Sequence, residues 1–255
     1  MKHKILLATN ADNGFDNLIS DMLSLLNKTH KKYVSAFSPQ NFHSKDLVTA
    51  NAQDQGVNLA LDGLVKDYEA EIILEKEAAK QNVEFEWISE KMDHERLSSF
   101  SVVFDLLILE LEAFKECDTK VLDEMLSAIK CPVLLLPRNW EVENLVIFHD
   151  GSIDSVKMVK NFLNMFNPNL RDIPLSVLIS QPSAKYDVEA EKIFIDYLKL
   201  FFKDLGVQLI QGEPMDNLDQ AIVYNSHKPF LMLGVNGYQI SGKQLMEAPT
   251  FLFKG

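Results

Sequence analysis

The order of apolar segments in the first half of the chain is repeated in the second half. The segment "KILLATN" near the start corresponds to "NLVIFHD" at 144–150, and "CPVLLLP" at 131–137 corresponds to "PTFLFK" near the end. Between them, short apolar runs alternate with stretches in which apolar residues recur every three or four positions. This alternation of strands and helices predicts a parallel β-sheet covered by helices on both faces.

A polar segment, "RNWEVE" at 138–143, lies between the two copies. Together with the repeated order of element lengths, this linker favours two tandem α/β domains, each with a doubly wound five-stranded parallel sheet. The first covers residues 1–138 and the second covers residues 143–255, with a shortened last helix before Pro249. The alternative is one continuous doubly wound sheet of roughly ten strands, since a chain of this length can also form one large domain.

Helical spacing also predicts which side chains of the helices face the core. Three apolar stripes are expected, one on the long helix after residue 57, one on the helix after residue 152, and one on the helix after residue 187. Their members are Leu61, Val65, Tyr68, Ile72 and Ala79; Val156, Val159, Leu163 and Phe166; and Ile193, Tyr197, Phe201 and Leu205.

The charge of the chain argues against a nucleic-acid or membrane partner. Residues 1–138 hold 15 basic against 23 acidic residues, a charge of −8, and the rest of the total of −12 lies in the second half. Neither half therefore offers the basic surface that phosphate neutralisation requires. The apolar stretch at the N-terminus is too short for a signal peptide, and no apolar run is long enough for a membrane helix. We therefore expect a cytoplasmic protein.

Motifs of known catalytic sites are missing from the sequence. It contains no G-x-S-x-G, no H-E-x-x-H and no G-x-G-x-x-G, and its six histidines are not spaced to share a metal on one face. Cys117 and Cys131 form no C-x-x-C motif, so two reduced thiols are expected rather than a disulfide, which stays an alternative. We therefore expect a binding protein and not an enzyme.

Three phrases resemble the universal stress protein family in its tandem form: "DLLIL" at 105–109, "CPVLLLP" and "FHDGS" at 148–152. The resemblance covers nearly the whole chain. It implies a stress-response function and a Rossmann-like sheet of strand order 3-2-1-4-5 in each domain, with the last strands of the two domains paired antiparallel. The apolar character of "CPVLLLP" and "PTFLFK" independently predicts this pairing, because each strand would otherwise leave an apolar edge exposed. Some members of the family bind ATP and others do not.

In the second half, a nucleotide site would lie at the carboxyl ends of strands 1 and 4, where the strand order reverses. The resemblance implies that Asp150 contacts the adenine side. It also implies a phosphate loop of pattern G-x2-G-x9-G-[ST], of which Gly234 and Gly237 are the first two glycines. Glu247 and Ala248 stand where the last two positions should be glycine and serine or threonine, so the site is at best half complete.

The residues Asp150, Gly151 and Ser152 also have a purely structural interpretation. Ser152 is a favourable N-cap residue, Asp154 lies in the first helical turn, and Gly151 eases the bend from strand to helix. His149 is expected to be a packed or hydrogen-bonded histidine on the face opposite Asp150. The structural and the ligand-binding roles can coexist.

A second phosphate-binding pattern overlaps this loop. Residues 237–243 read G-x4-G-K, but Gln244 replaces the Ser or Thr that holds magnesium in a P-loop. A true P-loop is therefore disfavoured. Lys243 as an auxiliary phosphate contact in a remodelled loop stays a possible interpretation.

The first half lacks the nucleotide pattern. Asn10 stands where the second half has Asp150, with Asp12 two residues later, and Glu110 and Glu112 stand where the loop glycines would be. Carboxylates repel phosphate, so no nucleotide is expected there. The two glutamates are interpreted as a solvated rim of the sheet.

These observations favour a binding protein of the universal stress protein type. Its second domain is expected to bind an adenine nucleotide weakly, and adenosine or AMP rather than magnesium-ATP, or to stay empty. The alternative is an interaction protein without a small-molecule site that acts through its acidic surface. The chain is expected to form an intramolecular pseudo-dimer, with a homodimer as a further possibility.

Overall fold

The computed structural model describes residues 2–10, 17–39, 55–90, 92–114, 119–181, 188–211, 228–234 and 248–253. Contacts between Cα atoms divide the chain into two compact units. The first comprises Met1–Ser24 and Lys28–Cys131, and the second comprises Leu25–Asn27 and Pro132–Gly255. Each unit is described by itself below.

In its described part, unit 1 contains four strands and four α-helices that alternate along the chain. In chain order they are β1 (Lys2–Ala8), α1 (Leu18–Leu25, whose last residue belongs to unit 2), β2 (Lys31–Phe37), α2 (Gln55–Lys80), β3 (Glu84–Trp87), α3 (His94–Ser101), β4 (Leu106–Glu110) and α4 (Thr119–Ala128). The strands lie in the order β3-β2-β1-β4 and pair in parallel. Ile5 to Ala8 of β1 are buried, as is all of β4, because β1 and β4 are the strands with helices on both faces.

Unit 2 contains six strands and two helices among its described residues. They are β5 (Val133–Leu136), β6 (Asn144–His149), α5 (Ile153–Met165), β7 (Leu175–Gln181), α6 (Val188–Lys199), β8 (Leu205–Gln211), β9 (Pro229–Gly234) and β10 (Thr250–Phe253). The strand order is β5-β10-β9-β6-β7-β8. Counted from β6, the second copy has the order 3-2-1-4-5, as predicted, and β3-β2-β1-β4 of unit 1 follows its first four positions.

The predicted antiparallel pairing of "CPVLLLP" with "PTFLFK" is confirmed. Thr250, Phe251 and Leu252 of β10 lie opposite Leu135, Leu134 and Val133 of β5. The last strand of the first copy is therefore part of the same sheet as the whole second copy. This shared sheet is what the tandem prediction, with the last strands of the two copies paired, requires.

The compact units do not follow the repeat in the sequence, because β5 lies in unit 2. The short segment Leu25–Asn27 also belongs to unit 2. It reaches the end of α5 through an antiparallel bridge between Leu26 and Phe166, and the Asn27 N–H donates to the Met165 carbonyl over 2.8 Å. The domain limits at 138 and 143 stay a prediction about the repeat.

Two of the predicted helix stripes are wrong in register. On α2, Tyr68 is 64% exposed and Ile72 also faces solvent, whereas Ala70, Leu74 and Ala78 are buried. The buried face of α2 is therefore formed by two alanines and a leucine, one helical turn apart, and not by the predicted stripe. Leu61 and Val65 lie in the part of α2 whose side chains are not described.

The third predicted stripe fails because α6 ends at Lys199, well before Leu205. Ile193 is 66% exposed, and the buried positions are Glu191, Phe194 and Leu198. Of the stripe on α5, Val159, Leu163 and Phe166 are buried as predicted, and Val156 is half-buried. No helix among the described residues is both long and apolar enough to cross a membrane.

Candidate functional site

The candidate site of unit 2 lies where its strand order reverses. Strands β6 and β9 are parallel neighbours, with Phe148 opposite Leu233, while β7 lies on the far side of β6 and β10 on the far side of β9. His149 and Gly234, the last residues of the two strands, are therefore next in register, and Asp150 follows directly. In open α/β sheets, a crevice at the carboxyl ends of the strands forms at such a point.

Asp150 and Ser152 together cap the N-terminus of α5. Ser152 is the N-cap residue, and its Oγ accepts a hydrogen bond from the Ser155 N–H over 3.3 Å. Asp150 Oδ1 accepts two more, from the Ser152 N–H over 3.0 Å and from the Ser155 hydroxyl over 2.6 Å. The predicted capping role of Ser152 is confirmed, with Asp154 in the first turn of the helix.

The Asp150 carboxylate is half-buried. Burial raises the pKa of this carboxyl, but the hydrogen bonds from Ser152 and Ser155 outweigh burial and hold the pKa below its usual value. The carboxylate is therefore charged at neutral pH. Its Oδ1 is occupied by the cap.

Gly151 has a left-handed backbone conformation, with φ of +75°. Residues with a Cβ rarely adopt this conformation, so glycine is favoured at the bend between β6 and α5. A Cβ added at Gly151 would lie 3.6 Å from Oε1 of Glu191, a buried residue of α6. The bend is therefore flanked by a second carboxyl group besides that of Asp150.

Gly234 is required by packing. A Cβ at this position would lie 2.6 Å from the Ser155 nitrogen, 2.7 Å from the Ser155 Cα and 2.8 Å from the carbonyl carbon of Asp154. All three are backbone atoms at the start of α5, which cannot move without shifting the helix. The glycine lets α5 approach the end of β9.

We expect Gly234→Ala to destabilise unit 2 by about 1–3 kcal/mol, because the added methyl group forces the backbone of α5 away from β9. Urea denaturation measures the loss. The matched control is Gly206→Ala on β8, where the nearest atom to the added Cβ is the Leu175 carbonyl oxygen at 4.0 Å. Equal effects of the two substitutions would contradict the packing role of Gly234.

His149 is buried on β6 and stacks on Phe194 of α6, with ring centroids 4.1 Å apart. Its Nε2 lies 2.9 Å from Glu191 Oε2. Burial lowers the pKa of His149 from 6.5 to about 4, although the Asp150 charge acts in the opposite direction. His149 is therefore a packed histidine, as expected from the sequence, and its burial favours the neutral form.

Sequence reasoning missed Glu191 and Phe194 as neighbours of the strand end. Both lie on the buried side of α6, which the predicted stripe assigned wrongly. The signal was the spacing of Glu191, Phe194 and Leu198, which recur at intervals of three and four residues. A charged residue within such a stripe was not read as part of the buried face.

In unit 1, the position of Gly234 is taken by Glu110. Ala8 lies opposite Leu109, so Thr9 and Glu110 correspond to His149 and Gly234, and Asn10 corresponds to Asp150. The interpretation of Glu110 as part of a solvated rim is wrong, because it is only 1% exposed and its Oε2 accepts a hydrogen bond from the Thr9 hydroxyl. Glu112 is half-buried in a short 3₁₀ helix after β4. A buried side chain therefore stands where unit 2 has only a glycine hydrogen.

The other predicted contacts of the site cannot be placed. Gly237, Lys243 and Asp12 lie outside the described residues. Ala248, at the position of the missing hydroxyl, is buried, and its carbonyl accepts a hydrogen bond from the Thr250 hydroxyl over 3.0 Å.

The cysteines and a histidine pair are the remaining reactive side chains considered. Cys131 is a free, buried thiol whose pKa burial raises to about 12, and Cys117 lies outside the described residues. In unit 1, His3 Nε2 and His30 Nδ1 lie 2.6 Å apart, a contact that their separation in the sequence did not suggest. The described residues contain no group of three or more side chains arranged to hold a metal ion.

Neither a protein-family model nor a curated protein matches the sequence. Among solved structures, the chain is similar to a universal stress protein from Archaeoglobus fulgidus DSM 4304. The two share 11% sequence identity and superpose with a TM-score of 0.65, over 99% of this chain and 96% of the other. At this identity the likeness shows the fold alone, and the fold is the α/β fold of a universal stress protein.

Proposed function

We propose that the chain is a stress-response binding protein of the universal stress protein type, not an enzyme. In this proposal, unit 2 binds adenosine or AMP weakly between Asp150 and Gly234, and unit 1 binds no nucleotide. The proposal includes the expected cytoplasmic location, and no nucleic acid or membrane as partner. It draws on the fold, the reversal of strand order and the residues at the two strand ends.

The difference between Gly234 and Glu110 carries the proposal. Both residues end the fourth strand of their copy, next to the end of the first strand. In unit 2 this residue is Gly234, which has no side chain to occupy the crevice. The half-buried Asp150 carboxylate directly follows the end of the neighbouring strand β6. In unit 1, the buried Glu110 carboxyl group occupies the corresponding place, and Asn10 has no carboxylate and already accepts a hydrogen bond from the Ser38 hydroxyl over 3.4 Å.

The carboxyl groups near Gly151 favour a nucleoside over a nucleotide triphosphate. Asp150 is charged, and Glu191 lies close to the Gly151 bend. At the start of α5, where other proteins bind phosphate, the Ser155 N–H is already bonded to Ser152 Oγ, and the Asp150 carboxylate accepts from the Ser155 hydroxyl. A carboxylate can instead accept hydrogen bonds from an adenine amino group or from ribose hydroxyl groups.

Isothermal titration of the protein with adenosine, AMP and magnesium-ATP tests this function. We expect adenosine and AMP to bind more tightly than magnesium-ATP, because triphosphate would meet the carboxylates. Asp150→Asn should weaken adenosine binding about ten- to a hundred-fold, since hydrogen bonds to charged groups are worth about 1.5–3 kcal/mol. An asparagine can still accept the Ser152 N–H, so the helix cap is kept.

Asn10→Ala in unit 1 is the matched control, because Asn10 holds the position that corresponds to Asp150. Its substitution should leave the affinity for adenosine unchanged. Tight binding of ATP that Asp150→Asn does not affect would contradict the proposed site.

The alternative function is that of an interaction protein without a small-molecule site. One observation in unit 2 favours it: Val207 and Leu209 of the edge strand β8 are about half-exposed, and Ile193 of α6 is also exposed. Apolar side chains at a sheet edge are common in association surfaces. If the protein binds neither adenosine nor AMP nor magnesium-ATP in the titration, the interaction protein becomes the favoured function.

A further inference from the structure

A groove on the surface of unit 1 lies near the amino ends of strands β1 and β2, opposite to the carboxyl ends where Thr9 and Glu110 lie. Its volume is about 560 Å³, within the range of small-molecule sites. One wall is formed by the first residues of β1 with Tyr33 of β2 and Glu86 of β3, and the other by the end of α3 and the residues after it. Each wall contributes a different chemistry.

The helical wall is apolar. Phe100 and Phe104 are stacked nearly parallel, with ring centroids 6.4 Å apart and an interplanar angle of 11°. Val103, between them in the sequence, is 61% exposed, and both rings are half-buried. A flat apolar group can therefore cover apolar surface that now contacts water.

The sheet wall is polar and carries lysines. Glu86 accepts hydrogen bonds on both carboxylate oxygens, from the Tyr33 hydroxyl on one and from the Ser35 hydroxyl over 2.7 Å on the other. The Lys2 ammonium is paired with Glu84 over 2.6 Å and lies 5.0 Å from the centroid of the Tyr33 ring. Glu84 is therefore ion-paired with Lys2, whereas Glu86 is hydrogen-bonded by hydroxyl groups, which lower its pKa and keep it charged.

Lys4 differs from Lys2. Its side chain is exposed on the same face of the sheet, and its ammonium group forms no ion pair within 4 Å among the described residues, although its charge helps to lower the pKa of the nearby Glu86. Its backbone N–H donates to Asp105 over 2.8 Å, which holds the strand end in place. Lys4 thus presents a positive charge beside an exposed apolar wall.

We propose that this groove binds a small aromatic carboxylate, with its ring against Phe100, Val103 and Phe104 and its carboxylate on Lys4. The ligand's charge is assigned from the exposed Lys4 ammonium, whose charge acts on Glu86 but which forms no close ion pair, and its aromatic character from the parallel rings. The groove is too small for a folded partner. This site is independent of the nucleoside site, because all of its residues lie in unit 1.

The test uses 4-phenylbutyrate as the probe, measured by saturation-transfer NMR and titration calorimetry on the full chain. Two analogues separate the contributions: 4-phenylbutanol lacks the charge, and butyrate lacks the ring. We expect phenylbutyrate to bind at least ten times more tightly than either analogue, because charge-assisted hydrogen bonding and apolar burial both contribute.

Each wall has a variant with a matched control. Lys4→Gln and Val103→Asp should each weaken phenylbutyrate binding about ten-fold or more, by loss of the charge and of the apolar contact. Lys76→Gln, on the exposed side of α2, and Val102→Asp, at a neighbouring exposed position outside the groove, should change the affinity less than two-fold.

Three outcomes would overturn the proposal. The first is that phenylbutyrate does not bind at millimolar concentration. The second is that phenylbutanol binds as well as phenylbutyrate. The third is that Lys4→Gln and Val103→Asp leave the binding of phenylbutyrate unchanged. Because all four substituted residues are exposed, the variants are expected to fold, and thermal melting of each variant checks this.

Discussion

Replacing Phe251 by alanine should lower the free energy of unfolding of unit 2 by about 3–5 kcal/mol. Phe251 is fully buried in β10. This strand is the last of the second copy and pairs with β5, the last strand of the first copy. Its ring lies edge-on to Phe166 at 5.0 Å, and Phe166 in turn contacts Phe230 at 5.4 Å. The substitution leaves a cavity in this aromatic cluster and removes a ring contact. Urea denaturation followed by fluorescence and circular dichroism measures the loss.

Phe253→Ala is the matched control, because Phe253 is the same residue type on the same strand but is only half-buried. It should lose less than half as much stability as Phe251→Ala. Equal losses would mean that the end of β10, and not the aromatic cluster, stabilises the unit. A loss below about 1 kcal/mol for Phe251→Ala would contradict the burial of β10 between β5 and β9.

Acid should destabilise unit 2 through His149 by about 3 kcal/mol, because its pKa falls from 6.5 to about 4 on burial and each pKa unit is worth 1.36 kcal/mol. Between these two pH values, the unfolded chain binds a proton that the folded chain does not. Stability is therefore complete above pH 6.5, falls as the pH is lowered through this window, and reaches its lower level near pH 4. Urea curves across the window measure the slope.

His149→Gln isolates this contribution, because glutamine does not titrate and its side chain is polar and close to histidine in size. The variant should lose less stability than the wild type between pH 6.5 and pH 4, by about 3 kcal/mol. A wild-type protein that instead gains stability over the variant in acid would show that the Glu191 carboxylate outweighs burial, so that the two residues form an ion pair.

The sequence predicted the sheet order and the pairing of the last strands because both depend on long apolar runs. A run such as "CPVLLLP" is buried on both faces, and its pattern is readable without tertiary contacts. The cap at Ser152 was predictable for a similar reason, since N-capping depends on residues adjacent in the chain. Asp150, Gly151 and Ser152, which directly follow β6, were therefore identified from the sequence as residues of the candidate site.

Contacts between distant elements were not predictable in the same way. Glu110 was read as solvated because carboxylates seldom lie in a core, yet the Thr9 hydroxyl on the neighbouring strand lets it be buried. The burial of Glu191 likewise depends on its contact with His149. On α2 and α6, several helical stripes fit the same residues, and only packing against the sheet selects one of them.

The requirement for glycine at position 234 is a further example. From the sequence, Gly234 was interpreted as the first glycine of a phosphate loop. In the structure, its lack of a side chain lets α5 pack against the end of β9. The two roles are compatible, because the absence of a side chain serves both. Only a ligand experiment separates them.

Titration of ¹⁵N-labelled protein with adenosine, followed residue by residue through the amide resonances, tests the central claim most directly. We expect the largest chemical-shift changes at the amides of Gly151, Ser152, Ser155 and Gly234. The amide resonances of Thr9 and Glu110 should not change. Chemical-shift changes centred on Thr9 and Glu110 would place the adenosine site in unit 1 and would contradict the proposed site in unit 2. No shift at any amide at millimolar adenosine would leave Asp150 and Ser152 as a helix cap and would contradict the proposed function.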